Sequence, residues 1–244
     1  MPSRYLRLCV VVLVFCWIAP SKSETGSITD EDMSICHGLL HQDIPDVSYD
    51  SSWKELPRGH VPDGLRVWGK LEEGSAATTF VASGTLHNVT SSAVLATFEG
   101  TNFTQRKTWD PSCLALNVIS SHETDQVVRW VTDLPWPLSD REYIFRRRIV
   151  CREDGSCIAV SKTVAEESVL IARDPSLVRV RDFVQYSQIR PSKDGKGVDV
   201  GLLYRNDLEG SLPHWVVKWF SNIGLPIYLK QIEKEIRSHS SHVK

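Results

Sequence analysis

The 244-residue sequence lacks the short motifs that mark most hydrolases, metalloenzymes and nucleotide-binding proteins. It contains no G-x-S-x-G elbow, no H-E-x-x-H pair, no glycine-rich phosphate loop and no C-x-x-C pair. It also lacks a cationic excess, with 28 basic and 30 acidic residues and a formal charge of −2. Because nucleic acids are bound through clustered cations, we expect no nucleic-acid partner. We expect no cofactor either, and enzymatic chemistry is disfavoured.

A metal site is also not predicted. His37 and His41 have the i, i+4 spacing of helical metal ligands, but no acid or cysteine at helical spacing completes a ligand set. A solvated helix face explains this pair of histidines.

Apolar runs long enough to cross a membrane are absent as well. The run from Leu8 to Ala19 has about twelve residues, whereas a bilayer span needs about twenty. Two arginines precede this run and small residues follow it up to Ser23, a pattern typical of a signal peptide over residues 1–23. A permanent anchor is the alternative. The signal predicts a secreted protein or one delivered to the vacuole lumen, with glycosylation at the sequons of Asn88 and Asn102.

Few cysteines are present, and their number becomes informative once the signal segment is removed. Four then remain: Cys36, Cys113, Cys151 and Cys157. An even number in an oxidising compartment favours two disulfides. A Glu-Asp-Gly hairpin loop with Gly155 in the left-handed region would place Cys151 opposite Cys157, so we predict that bridge. Cys36 would then pair with Cys113. Four reduced thiols are the alternative.

Alternating apolar and polar residues predict a largely antiparallel sheet. The predicted strands are Leu65–Leu71, Thr78–Gly84, Leu114–Ser121, Gln126–Leu134, Glu142–Cys151, Ile158–Val164, Val178–Ile189 and Val198–Tyr204. Predicted helices begin after Thr29, after the Ser91-Ser92 cap and near Pro213, and Arg106–Asp110 lies in or just beyond a further helix. The last helix has a wide apolar stripe, which predicts that it covers one face of the sheet, and Pro226 should kink it.

The stretch from Trp130 to Arg148 organises these elements as a strand, a corner and a second strand. Proline cannot continue a sheet ladder, so the chain must turn at Pro135-Trp136-Pro137. Alternation after the corner places Tyr143, Phe145 and Arg147 on one face. That face is therefore aromatic and contains one cation.

Three motifs in this order resemble those of the START lipid-transfer family. They are Arg106-Lys107-Thr108-Trp109-Asp110, the Trp-Pro corner with Ser139-Asp140-Arg141, and Gly210-Ser211-Leu212-Pro213-His214-Trp215. The resemblance implies an α+β helix-grip fold, in which a curved antiparallel sheet surrounds a long C-terminal helix and a lipid tunnel. Residues 24–52 would form an N-terminal helix and connection, and residues 53–244 the START-like domain.

The resemblance also implies a function, namely transfer of one phospholipid, phosphatidylcholine first, between membranes by a monomer that contacts membranes transiently. Matching the phosphatidylcholine-binding members assigns a headgroup site to Arg106, Asp110, Trp130, Tyr143, Phe183 and Gln185, with Arg147 as a further candidate. Phe183 stands where those members have a tyrosine. In sterol-carrying members an acid pairs with the arginine that matches Arg147, but Val128 occupies the acid's position. A structural ion pair in an aromatic core is the alternative for these residues.

A gate is implied where the family closes its cavity with a loop and the last helix. The matching residues are Val169, Leu170, Ile171, Trp215 and Trp219, and we predict that the loop tip contacts the membrane. Two other functions remain open. One is an enzyme of a related helix-grip fold, such as a cyclase or lipid hydrolase, and the other is a lipid-sensing module without transfer.

Overall fold

The computed structural model describes residues 26–40, 51–71, 77–165, 171–209 and 224–241. The predicted signal segment therefore lies outside the described residues, as do Val169, Leu170, Trp215, Trp219 and the segment that precedes the kink predicted at Pro226. No helix within these ranges is long and apolar enough to span a bilayer. The same ranges contain no cluster of three His, Cys, Asp or Glu side chains arranged for a metal ion.

The described residues form one largely antiparallel sheet, as predicted, but it has ten strands where the sequence pattern predicted eight. They are β1 (Lys54–Glu55), β2 (Leu65–Leu71), β3 (Ala77–His87), β4 (Cys113–His122), β5 (Asp125–Thr132), β6 (Arg141–Cys151), β7 (Cys157–Thr163), β8 (Val178–Arg179), β9 (Asp182–Pro191) and β10 (Gly197–Asp207). The order is β1-β2-β3-β10-β9-β7-β6-β5-β4, and β8 pairs with β6 off this path. All pairs are antiparallel except the parallel pair of β8 and β6.

Four α-helices lie against this sheet in the described ranges. They are α1 (Asp30–Gly38), α2 (Ser91–Glu99), α3 (Phe103–Trp109) and α4 (Leu225–Ser241), and a 3-10 turn covers Arg58–His60. The Thr29 cap of α1 is confirmed, with its hydroxyl accepting from the Asp32 N–H. The cap predicted for α2 was wrong by one residue. Thr90 fills that position, because its hydroxyl accepts from the Ala93 N–H at 3.2 Å.

Alternation along the strands gives the sheet two different faces. Phe183 and Gln185 of β9 point to an inner face, which α2, α3 and α4 cover to enclose a cavity. Tyr186 points to the outer face and donates to Asp32 of α1. The N-terminal helix therefore packs on the opposite side of the sheet from the other three.

The single strand predicted from Val178 to Ile189 is in fact two strands. β8 pairs with β6 at Arg141 and Glu142, a stretch of β6 that β7 does not reach. β9 pairs instead with β7 and β10. The chain must change neighbours between Arg179 and Asp182, so one continuous ladder is excluded.

The predicted corner is confirmed between β5 and β6. The Trp136–Pro137 peptide is cis, and Trp136 is 89% exposed. From the strand pairing, β7 and β10 end and β9 begins at this same end of the sheet. We call it the corner end. The β6–β7 turn lies at the opposite end.

One of the two predicted disulfides is present. Cys151 and Cys157 are bonded across the β6–β7 turn, where Gly155 has φ +78° as predicted. The pairing of Cys36 with Cys113 was wrong, because both thiols are free and buried. Cys36 donates to the Ser187 carbonyl of β9 at 2.9 Å, whereas Cys113 belongs to edge strand β4. β7, β6 and β5 lie between β9 and β4, and neighbouring strands are about 4.8 Å apart. The distance between the two cysteines therefore exceeds the reach of a disulfide.

Both free thiols are protected by burial. It raises the pKa of Cys36 to about 12 and that of Cys113 to about 11. The reactive thiolate is therefore scarce at neutral pH.

Candidate functional site

The inner face of the sheet and helix α4 enclose a cavity that has both apolar and polar lining residues. It contains about 930 Å³ of space free of protein atoms, including its opening to solvent. The leucine, isoleucine and valine residues of the apolar part include Leu65, Val67, Leu86, Leu202, Ile232 and Ile236. The aromatic, charged and polar residues, which we call the polar part, include Arg106, Trp130, Phe145, Arg147, Phe183, Gln185, Tyr204 and Tyr228. The cavity is thus amphipathic, as a lipid is.

Arg106 is held in the wall of the polar part by helix α3. The Asn102 side chain caps this helix by accepting from the Gln105 N–H at 3.1 Å, which fixes the turn that presents Arg106. Arg106 is 9% exposed, and its Nη2 donates to the Tyr228 hydroxyl of α4 at 2.8 Å. The guanidinium carbon lies 5.5 Å from the centre of the Trp130 ring. A fixed cation next to an aromatic face therefore borders the cavity.

Asp110 neutralises and orients this arginine. Its carboxylate accepts from Arg106 Nε at 2.9 Å, in an i, i+4 ion pair with an acid that is fully buried. The backbone N–H of Ser112 donates to its other oxygen at 3.2 Å, and the Ser112 hydroxyl donates to that oxygen as well. Burial alone would lower the pKa of Arg106, but Tyr228 and Asp110 outweigh it and the net shift is upward. Arg106 is charged at any physiological pH.

Aromatic rings form a continuous cluster beside Arg106. Trp130 stacks on Tyr143 with 4.9 Å between the ring centres, and the rings of Tyr143 and Phe183 form a T-shaped pair at 5.5 Å. Phe183 also contacts Phe145 and Tyr204, each at 5.1 Å between ring centres. The structure therefore brings together the three rings chosen from the sequence, and it adds Phe145 and Tyr204.

These rings are not equivalent. Tyr143 is 1% exposed, its hydroxyl accepts from Asn206 at 2.9 Å, and it supports the rings of Trp130 and Phe183 from behind. Trp130, Phe145, Phe183 and Tyr204 line the cavity itself. Of the three predicted rings, Tyr143 is therefore absent from the described lining, whereas Phe145 and Tyr204 are added to it.

A second buried cation, Arg147, lies in the same cavity. Its Nη1 donates to the Glu99 carbonyl at 2.7 Å, and its Nε lies 3.1 Å from Glu99 Oε2 and donates to Ser161. Gln185 and Ser187 each donate to Glu99 Oε1 at 2.7 Å. Burial lowers the pKa of Arg147, and Glu99 opposes that shift. Sequence comparison found Arg147 and Gln185 but missed Glu99, the residue that connects them.

The remaining predicted residues are those of the gate and the two glycosylation sequons. Ile171 is half-buried and is the one predicted gate residue within the described ranges. Asn88 and Asn102 are exposed, as glycan acceptors must be.

Comparison with known proteins decides the family. A model of the START domain matches residues 48–241. The chain belongs to the START domain family. Mouse StAR-related lipid transfer protein 7, mitochondrial, is 30% identical over 186 residues, which cover 73% of this chain and 49% of that protein. The chain thus spans about half the length of this curated relative. Rat phosphatidylcholine transfer protein is 25% identical over 180 residues, covering 72% of this chain and 81% of that protein.

Solved structures show the same fold. Human STARD10 superposes with a TM-score of 0.70 at 19% identity, covering 90% of this chain and 84% of that one. Human StAR-related lipid transfer protein 5 gives a TM-score of 0.60 at 18% identity, covering 86% and 98%. The predicted helix-grip architecture is confirmed for this START domain.

Proposed function

We propose that this START domain carries one phospholipid, phosphatidylcholine first, between membranes. One observation supports it above the others: Arg106 is a fixed, buried cation at the border of an apolar cavity and lies beside the Trp130 ring. A phosphate in a low-dielectric site needs such a cation, and a quaternary ammonium needs aromatic faces rather than hydrogen-bond donors. The similarity to a phosphatidylcholine transfer protein agrees with this assignment.

Each part of the cavity has a role in this proposal. Arg106 binds the phosphate, and Tyr228, which accepts from Arg106, can donate its own proton to a phosphate oxygen. Trp130, Phe183 and Tyr204 contact the choline, at about 0.5 to 2 kcal/mol per cation–π contact. The apolar part takes up acyl chains and replaces the bilayer at about 0.8 kcal/mol per methylene, which lowers the barrier to desorption. No covalent step is required.

A sterol or another hydroxylated lipid is the second candidate cargo. Sequence comparison disfavoured it because Val128 occupies the position of the acid that pairs with the cavity arginine in sterol carriers. In this chain the acid that pairs with Arg147 is Glu99, which belongs to helix α2 and not to strand β5, where Val128 lies. Arg147 and Gln185 line the cavity and could bind a hydroxyl group.

Delivery of lipid requires contact with a membrane, and we assign part of that contact to Trp136. This side chain is 89% exposed at the corner end, and tryptophan is favoured where apolar lipid meets water. Trp136→Ala should slow vesicle-to-vesicle exchange several-fold without changing the bound lipid. Val150→Ala, an exposed apolar site near the opposite end, is the control. Equal rates in all three proteins would remove Trp136 from the contact.

We also propose that the mature protein is secreted or delivered to the vacuole lumen. The signal segment, the Cys151–Cys157 disulfide and the exposure of both sequons support this location. Peptide mapping of the secreted protein would locate the first residue and any glycan. A cytosolic protein that retains residues 1–23 would contradict it.

Native mass spectrometry of the protein purified from its own host, followed by vesicle exchange, tests the lipid-transfer proposal. We expect one phosphatidylcholine per chain and its exchange between vesicles. Co-purified sterol would favour the second cargo, and turnover of a labelled phospholipid would favour an enzyme. Tight binding without exchange would indicate a sensing module.

A further inference from the structure

The two cations of the cavity are each neutralised by a buried acid. Among the described lining residues, the charged ones are Arg106 and Arg147. Arg106 lies 2.9 Å from Asp110, and Arg147 lies 3.1 Å from Glu99. The side chains of both acids are at most 1% exposed, so neither is shielded by water. These four groups therefore sum to zero formal charge.

The acid of each pair reaches its arginine differently. Asp110 is four residues from Arg106 and belongs to the family motif, whereas Glu99 ends helix α2 and meets Arg147 of strand β6 across the cavity wall. Glu99 is also held by Gln185 and Ser187 at 2.7 Å each. Glu99 is thus held by two strands, β6 through Arg147 and β9 through Gln185 and Ser187, so its negative charge cannot move away when a ligand enters.

We infer that Glu99 determines specificity by restricting the cavity to phospholipids with no net charge. The inference rests on the proposed phospholipid function. A zwitterionic headgroup adds a phosphate and an ammonium, and the site remains neutral. A phospholipid with one net negative charge adds its phosphate to two arginines that Asp110 and Glu99 already neutralise. That extra charge loses its hydration without gaining a cation of its own, which is costly in a buried site.

Glu99→Gln tests the inference because glutamine keeps the size of glutamate and removes one negative charge. The protein is incubated with vesicles of equimolar phosphatidylcholine and phosphatidylglycerol with matched acyl chains, and bound lipids are counted by native mass spectrometry. Wild type should prefer phosphatidylcholine. In Glu99→Gln the unpaired Arg147 should raise the ratio of bound phosphatidylglycerol to phosphatidylcholine by on the order of tenfold or more.

Glu142→Gln is the matched control. Glu142 is also buried and also ion-paired, with Arg129 and Arg179, but it lies on the outer side of β6. The same substitution there should leave the lipid ratio at its wild-type value. A rise equal to that of Glu99→Gln would show a general effect of lost charge and would overturn the inference.

Charge restoration keeps the test decisive if Glu99→Gln is too unstable to purify. Glu99→Gln with Arg147→Gln returns the cavity to zero charge and should restore the wild-type ratio, whereas Arg147→Gln alone should lower that ratio further. If the ratio of bound phosphatidylglycerol to phosphatidylcholine is unchanged in all of these variants, the inference that Glu99 selects by charge is overturned, whereas the proposal that the cavity binds phosphatidylcholine is not. A wild-type protein that takes up no phospholipid overturns the proposed function and this inference together.

Discussion

The two faces of the sheet each bury a cluster of one acid, one cation and one tyrosine. On the inner face the cluster is Asp110, Arg106 and Tyr228. On the outer face it is Asp32, Lys162 and Tyr186, beneath helix α1. Asp32 accepts from Lys162 at 3.0 Å, from the Tyr186 hydroxyl at 2.7 Å and from the Thr29 N–H at 2.9 Å.

The same chemistry has different consequences on the two faces. Arg106 and Tyr228 line the cavity and can exchange partners with a ligand. The outer cluster is enclosed between α1 and the strands β7 and β9, and its three residues are absent from the described cavity lining. We therefore expect the inner cluster to determine lipid binding and the outer cluster to determine stability.

Arg106→Ala should produce the largest effect. It removes the cation that we propose binds the phosphate, and it leaves Asp110 buried without its partner. The unpaired Asp110 should lower the stability of the fold, and a phosphate buried without its cation should cost a similar amount, about 3 to 5 kcal/mol, so phospholipid affinity should fall at least about 100-fold. Quantifying bound lipid by native mass spectrometry checks this. The double variant Arg106→Ala/Asp110→Ala is the control, in which the stability should partly recover while lipid binding stays lost. Wild-type occupancy in either variant would place the headgroup elsewhere, with Arg147 as the next candidate.

Lys162→Met should have the opposite profile. It leaves Asp32 buried without a cation and should lower the free energy of unfolding by about 3 kcal/mol, as measured in urea. The folded fraction should still carry phosphatidylcholine at wild-type occupancy. Adding Asp32→Asn should recover much of the stability. Lost lipid with intact stability would show that the two faces are not separate.

Trp130→Leu should have a smaller and more selective effect. Leucine keeps bulk but removes the aromatic face, so phosphatidylcholine should bind about tenfold more weakly. Phosphatidylethanolamine should lose less, because a primary ammonium depends more on hydrogen bonds. Competition with matched acyl chains measures both. Equal losses would make Trp130 a packing residue.

Lowering the pH should give the smallest effect, and in the outer cluster it acts through Asp32. Burial raises the pKa of Asp32, but hydrogen bonds from Thr29, Tyr186 and Lys162 outweigh it, so the net shift is downward. A depressed carboxyl pKa stabilises the fold above the unfolded value of about 3.9, and that stabilisation is lost as the pH falls through the folded pKa. The stability difference between wild type and Asp32→Asn should therefore be constant near neutrality and shrink below about pH 4. A constant difference down to pH 3 would contradict this.

Sequence alone predicted the features whose partners lie close along the chain. Arg106 and Asp110 are one helical turn apart, Cys151 and Cys157 face each other across a short turn, and strict alternation placed Phe145 and Arg147 on the inner face. Each of these patterns is a local geometric constraint.

The missed features depend on contacts between distant segments. Tyr228 meets Arg106 from 122 positions away, and Lys162 meets Asp32 from 130. Glu99 ends an otherwise uncharged helix, and no oppositely charged residue at helical spacing marks it. The Cys36–Cys113 pairing failed for the same reason, since residue counts do not reveal which face of a sheet a thiol occupies. Such pairs require the strand order, which the sequence pattern does not contain.

The strand order also determines when the cavity can form during synthesis. β3 pairs along its whole length with β10, which the ribosome produces about 110 residues later. Translation adds roughly 5 to 20 residues per second, so the edge of β3 stays unpaired for about 5 to 20 s before β10 is synthesised. An unpaired apolar edge invites pairing with another chain. The nascent protein therefore passes through an aggregation-prone interval. This interval ends only when β10 has paired with β3 in the middle of the sheet and α4 covers the inner face.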